Sequence, residues 1–168
     1  MSQLLGEVRL FMDNRPPSQA WIACDGSTLP IADHQPLFSL LGWRFGGDGW
    51  ITFGVPALRP ARAAVTYAIA GDGAYPWVNQ IMHVEQHIGE IRLFAGKHPP
   101  AGWLPCDGRL LPAAEYAELY AVIGTSWGGV DNEFAVPDLR DADAIAPPAP
   151  RADRLVYIIA AASNVAAR

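Results

Sequence analysis

Two cysteines carry the most reactive side chains of this sequence, and both stand in the same local setting. Cys24 and Cys106 are each followed by an Asp-Gly pair. A nucleophilic or redox-active thiol needs a basic or histidine neighbour that lowers its pKa, and neither stretch supplies one. We therefore expect both cysteines to be small buried thiols, because free cysteine is among the most frequently buried residues.

The carboxylates beside these cysteines are the first candidates for acid–base chemistry. Each belongs to an Asp-Gly pair, Asp25-Gly26 or Asp107-Gly108. Aspartate before glycine is typical of tight turns, because its side chain accepts hydrogen bonds from the next backbone amides. Acid–base catalysis would also need a second carboxylate at a recurring spacing, and the sequence offers none. We expect both aspartates to form turns.

A histidine pair is the remaining candidate for metal binding. His83 and His87 stand four residues apart, which on a helix would place both imidazoles on one face. A structural zinc site takes about four ligands, and the residue after His83 is not the glutamate of an H-E-x-x-H motif. A threefold axis could bring six histidines together. We favour a solvated segment with no metal and no cofactor.

Composition excludes several functional classes. The chain has 168 residues, a formal charge of -5, 51% hydrophobic residues and 17% charged residues. Such a chain can bury a core, and it has no basic surface for nucleic acid. No apolar run approaches the ~20 residues of a membrane span. The first residues have no basic and apolar signal-peptide pattern, so we expect synthesis in the cytoplasm without a signal peptide.

The dominant feature is an internal duplication. We therefore define a first repeat (5–75), a linker (76–87) and a second repeat (88–160). Chance does not produce so many ordered matches. The matched blocks are Gly6–Phe11 with Gly89–Phe94, Trp21–Gly26 with Trp103–Gly108, Gly46–Gly47 with Gly128–Gly129, Phe53–Pro56 with Phe134–Pro137, and Tyr67–Ala70 with Tyr157–Ala160.

Each repeat predicts a small α+β unit: a short-stranded sheet covered by one helix. The strands are expected at Val8–Met12, Trp21–Cys24, the Phe-x-Val stretch 53–55 and Val65–Ala70, and at the equivalent blocks of the second repeat. The helix of the first repeat is expected to begin after Asp33 as N-cap and to end before Gly42. Gly-Gly loops follow the helices and lack the Lys-Ser/Thr of a phosphate-binding loop.

These blocks resemble a known family. The pattern G-E-[VI]-R-L-F, then W-x-x-C-D-G-x-x-L-P, then G-G and F-x-V-P-x-L-R is similar to the phage tail collar domain, in both repeats. That domain occurs in short tail fibre proteins and in small bacterial "microcystin-dependent" proteins. The resemblance implies a non-enzymatic structural protein of a virion tail, tail-like particle or extracellular fibre, usually trimeric. The His-x-His metal motif of one trimeric short tail fibre is not present.

Aromatic and charged residues supply the candidates for contacts. Trp21 and Trp103 recur and are expected in the core, whereas Trp43, Trp50 and Trp77 do not follow the repeat cleanly and could contact a glycan or receptor. Recurring charges predict a structural ion pair or an interface contact. These charges are Glu7 and Glu90, Arg9 and Arg92, and Arg59 and Arg140.

Two modes of assembly and one alternative function follow from the duplication. The chain is expected to associate with itself or with sister collar proteins. A homotrimer would present six related units, and a head-to-tail contact between unlike repeats would form a filament. The alternative is a soluble carbohydrate-binding or adhesion module that acts through loop aromatics such as Trp50. An enzymatic function is the least supported interpretation, because the sequence shows no group of titratable residues that would converge on one site.

Overall fold

The computed structural model describes residues 3–12, 16–58, 66–77, 86–140 and 155–161. Within these ranges, short strands and two short helices follow one another in the same order in both repeats, which confirms the α+β class. The elements of the first repeat are β1 (Glu7–Phe11), β2 (Trp21–Ala23), β3 (Thr28–Pro30), α1 (Gln35–Leu41), β4 (Thr52–Gly54) and β5 (Thr66–Ala70). Those of the second are β6 (Ile91–Phe94), β7 (Trp103–Pro105), β8 (Leu110–Pro112), α2 (Ala117–Ile123), β9 (Glu133–Ala135) and β10 (Val156–Ala160).

The two repeats share one six-stranded antiparallel sheet in the order β2-β5-β1-β6-β10-β7. The order within the first repeat is reversed in the second, so the equivalent strands β1 and β6 meet at the centre. The arrangement is a pseudo-twofold pairing of the two copies. The repeats were expected to carry a small sheet each, and the observed sheet continues across both.

The central register fixes where the pseudo-twofold axis passes. Glu7 lies opposite Phe94 and Val8 opposite Leu93. Continuing this antiparallel register places Arg9 opposite Arg92, which are equivalent residues of the two repeats. We call the β1–β6 pair with Glu7, Arg9, Glu90 and Arg92 the junction.

The two helices cover one face of the sheet. In the first repeat, Leu37 and Leu41 of α1 pack with Val8 and Ile69 of the sheet. In the second, Leu119 of α2 packs with Ile159. Alternation along the strands then places Glu7, Arg9 and Arg92 on the opposite face.

The helix ends agree with the sequence at one terminus and differ at the other. Gly42 and Gly124 are the C-caps, with φ of 58° and 54°. The N-cap of α1 is His34, one residue after the predicted Asp33, and no side chain caps it. Pro36 in the first turn, which has no N–H to satisfy, explains why the helix begins without such a cap.

Each repeat also carries a two-stranded ladder. The sequence predicts one strand of it, the Phe-x-Val strand, and does not predict the partner strand. β3 pairs with β4, and β8 pairs with β9. β3 and β8 each end in a proline, a residue that argues against a strand when only the sequence pattern is considered. The Gly-Gly loops cross them closely, since a Cβ at Gly47 or Gly129 would overlap the backbone of the following strand.

Some predictions fall outside the described residues. Arg59, Val65 and His83 lie there, as does 78–85 of the proposed linker. The repeat boundaries 5–75 and 88–160 therefore stay a prediction. Within the described ranges, no helix is long and apolar enough to cross a membrane.

Candidate functional site

The junction holds a network of charged side chains on the face of the sheet that the helices leave uncovered. Glu7 Oε2 accepts from Arg92 Nη1 at 2.8 Å, and Glu7 Oε1 lies 2.5 Å from Arg9 Nη2. Arg92 also donates from Nε to Glu90 Oε1 at 2.8 Å. A carboxylate from the first repeat therefore bridges one guanidinium of each repeat, so the recurring charges form the ion pairs that link the two copies.

Burial makes this network costly to disrupt. Glu7 is fully buried, and the side chain of Arg92 is only 9% exposed. Desolvation raises the pKa of Glu7 although Arg92 and Arg9 act in the other direction. Burial also opposes ionisation at Glu90, yet its hydrogen bonds from Arg92 and from the His87 amide lower its pKa. The equivalent glutamates thus have opposite pKa shifts.

The recurring tryptophans pack against the same arginines. The guanidinium of Arg9 lies over the Trp21 ring at 5.3 Å, and that of Arg92 over the Trp103 ring at 5.0 Å. Phe11 meets Trp21 edge to face at 5.0 Å. Trp21 and Trp103 are buried, at 9% and 5% exposure. The apolar covering of this face is thus built from tryptophans under arginines.

The cysteines and their neighbouring aspartates lie in the structure without forming a catalytic constellation. Cys24 and Cys106 are free and buried, and burial raises the pKa of both thiols, that of Cys106 to about 12. Asp25 accepts from the Ser27 amide, which closes a turn. Asp107 accepts from the Arg109 side chain and amide, and the side-chain bond lowers its pKa.

Among the described residues, no group of three or more His, Cys, Asp or Glu side chains is placed to hold a metal ion. His87 is described, but its proposed partner His83 is not. The second recurring arginine, Arg140, pairs with exposed Asp138 at 2.6 Å.

A second site stands on the loop after α1. Trp43 is 70% exposed, Trp50 88% and Ile51 72%. The Trp43 ring lies against Gly49, where an added Cβ would be 3.0 Å from the ring. We call Trp43, Trp50 and Ile51 the aromatic loop. The non-repeating Trp43 and Trp50 were singled out from the sequence, whereas Ile51 was missed because it is one apolar residue before a strand.

One carboxylate fixes the shape of the aromatic loop. Asp48 Oδ1 accepts from the amides of Trp50, Ile51 and Thr52 at 2.8, 2.8 and 2.9 Å. These hydrogen bonds lower the pKa of Asp48 to about 2, and the bond from the Thr52 amide contributes most. Trp50 and Ile51 therefore stand on an ordered turn, and little backbone freedom is lost when they contact a ligand.

The remaining aromatics differ between the repeats. Trp77 is 55% exposed and packs on Tyr75 in a tilted arrangement at 4.6 Å, and its carbonyl accepts from the Ala101 amide. Phe45 is buried at 6%, but its equivalent Trp127 is 54% exposed. The sequence equivalence of Phe45 and Trp127 gives no information on which of the two is covered.

Comparison with known proteins adds the family context. The family model of the phage tail collar domain matches residues 6–61 and 89–143. The chain is also similar to protein RhiB of Rhizobium leguminosarum bv. viciae, with 54% identity over 43 residues, which are 23% of this chain and 20% of RhiB. The chain thus spans about a fifth of the length of that curated relative. No solved structure matches.

Substitution of the bridging glutamate tests the junction. Glu7→Ala removes the carboxylate oxygens as well as the charge from between two guanidinium groups and leaves the buried Arg92 without this acceptor, so we expect a loss of about 3 kcal/mol in the free energy of unfolding. Glu90→Ala is the matched control, since its side chain is 30% exposed, and we expect a loss below about 1 kcal/mol. Urea denaturation followed by tryptophan fluorescence measures both, and equal losses would contradict the bridging role.

Acid titration tests the turn under the aromatic loop. Because the pKa of folded Asp48 lies below the ordinary 3.8, its contribution to stability is present above that value and is lost only as pH falls through about 2. At pH 3 an unstructured aspartate is mostly protonated, yet we expect the amide chemical shifts of Trp50, Ile51 and Thr52 to be unchanged. An NMR titration with Asp48→Asn as the non-titrating control decides, and a midpoint near 3.8 would contradict the turn.

Proposed function

The chain belongs to the phage tail collar domain family, and on that premise we propose that it is a non-enzymatic structural subunit of a phage-tail-like or extracellular fibre assembly. The observation that carries the proposal is the family match to both repeats together with their pairing in one sheet. A subunit of this kind would act in a virion tail, a tail-like particle or a fibre outside the cell. Its partners would be further copies of itself or sister collar proteins.

The state of the titratable groups supports a structural role. Both thiols are buried with raised pKa values. The carboxylates at the junction and in the turns are engaged by arginine side chains or backbone amides. Groups held in this way position the backbone turns and the junction, which favours a structural role.

The outer strands of the sheet bear on how copies would associate. Directly after β7, the Cys106 amide donates to the Tyr157 carbonyl of β10, so alternation turns the backbone N–H and C=O groups of Trp103 and Pro105 toward the free edge. The Trp103 amide donates to Pro100 within its own turn, and Pro105 has no N–H. Strand addition at this edge would therefore gain little hydrogen bonding.

The opposite edge of the sheet, formed by β2, also offers few free backbone amides for strand addition. In β2, the Trp21 amide donates to Ser18, which leaves Ala23 as the outward-facing amide of that strand. A filament built by joining β2 of one copy to β7 of the next would thus have few backbone bonds. Association through side-chain surfaces fits the structure better, and it is compatible with a trimer or with a filament.

A second function has one observation in its favour. Trp43 and Trp50 are exposed on a loop that Asp48 holds in a fixed shape. Aromatic rings presented in this way suit the apolar face of a sugar or a protein surface. We therefore keep glycan or receptor contact by Trp43, Trp50 and Trp77 as a proposal, either as the tip of the fibre subunit or as a separate adhesion module.

The mass of the protein in solution tests the structural function. We expect static light scattering over a concentration series to show three copies or a polymer, which electron microscopy would then resolve as a particle or a fibre. A mass of 18.1 kDa at every concentration would contradict self-association. Addition of candidate sister collar proteins to the same sample would then show whether this chain assembles only with them.

Loss of the loop aromatics tests the second function. We expect Trp50→Ala to weaken retention on whole cells or surface polysaccharide at least ~10-fold, corresponding to the ~1.4 kcal/mol of a good aromatic contact, with unchanged thermal unfolding. Trp127→Ala, at an exposed tryptophan of the second repeat, is the control. Retention that is unchanged by Trp50→Ala would remove the aromatic loop as the contact.

A further inference from the structure

The two ends of the junction differ, although the repeats are related by a pseudo-twofold axis. At the first end, the segment after β6 crosses the first repeat. Ala95 N donates to Gly6 O at 3.1 Å, and Arg44 Nη1 donates to Ala95 O at 2.9 Å. Phe94 is fully buried and packs with Leu40 of α1. This end is closed by an apolar segment of the other repeat.

The second end has the same parts in an open arrangement. Gly89, Val122 and Ser126 are the counterparts of Gly6, Leu40 and Arg44. If the pseudo-twofold symmetry were exact, Phe11 and Met12 would lie over these three residues. The strand pairing between β1 and β6 instead includes only Glu7 and Val8 of β1, and the Phe11 ring packs on Trp21 within its own repeat.

Apolar side chains from both repeats are exposed at this second end. Leu10 is 48% exposed, Met12 86%, Ile91 42% and Val122 60%. Leu10 and Ile91 each lie two residues from the last cross-strand pair, Val8 and Leu93, and by alternation they share the helix-covered face with that pair. Val122 Cγ1 lies 3.0 Å from the Cβ position of Gly89, two residues before Ile91. We call these four side chains the open end.

We propose that the open end is a docking surface for the open end of a second copy of this chain, packed across a twofold axis. The proposal rests on the proposed function, since it names the surface through which a collar subunit would meet its next copy. Three observations favour this occupant. The open end continues an established contact between collar repeats. Its closed counterpart takes an apolar segment of another collar repeat. Its four members are uncharged and apolar, so two such surfaces are mutually compatible.

The size of the open end sets the strength of the contact. Four partly exposed side chains make a patch of a few hundred Å² at most, whereas a standard stable interface buries about 800 Å² per partner. The twofold contact is therefore weak by itself and depends on concentration. In a larger assembly it would act together with another contact, because a twofold interface alone closes at two copies.

Charge placed in the open end tests the proposal. We expect sedimentation velocity of the wild type to show a reversible step that doubles the mass of the associating species. Val122→Glu and Met12→Glu, one from each repeat, should each raise the concentration at its midpoint at least tenfold. Val130→Glu is the matched control, because Val130 is 73% exposed on a loop outside the open end. All three positions are at the surface, and thermal unfolding verifies that each variant folds.

The outcomes separate the docking surface from the proposed function. A wild type that assembles, with both open-end variants assembling equally well, overturns the docking surface and leaves the structural function standing. Weakening by Val130→Glu to the same extent also overturns it, since the effect would then be one of net charge. A wild type that remains a single copy at every concentration overturns both self-association and this surface.

Discussion

A buried carboxylate between two guanidinium groups is the interaction on which the arrangement of this chain depends. Arg9 of the first repeat and Arg92 of the second both reach the junction, where two cations would repel each other. Glu7, fully buried, contacts both. Without that bridge, the buried guanidinium of Arg92 would lose the carboxylate that the first repeat supplies. With it, a tandem duplication becomes one continuous sheet.

The same bridge accounts for the loss of exact symmetry. Two equivalent glutamates are available, but Glu7 engages an arginine of each repeat while Glu90 turns to Arg92 and the backbone of His87. The strands pair on the side of Glu7 and end their pairing beyond Val8. One end of the junction is therefore closed by Phe94 and Ala95, and the other leaves Leu10 and Val122 exposed. A pair of identical copies in separate chains would have no such reason to differ.

Local features of the fold could be predicted from the sequence, and contacts between the repeats could not. The apolar spacing of Leu37 and Leu41, the glycine caps and the Asp-Gly turns follow from short-range physical chemistry, and the structure has them. The meeting of β1 with β6 depends on long-range packing, which no periodicity within one repeat encodes. For the same reason the sequence suggested an ion pair among the recurring charges without indicating that Glu7 would be its centre. At the aromatic loop, Trp50 could be singled out because it breaks the repeat, whereas Ile51 carried no such signal.

We propose that the building block of the fibre is the pair of collar repeats joined at the junction, and not either repeat alone. Residue-resolved hydrogen exchange on the intact chain tests this most directly. We expect the slowest amides of the first repeat, in β1 and β5, and those of the second, in β6 and β10, to exchange with one common free energy of opening. Slow exchange in one repeat with independent, much faster exchange in the other would contradict it, because the repeats would then be separate units that only touch.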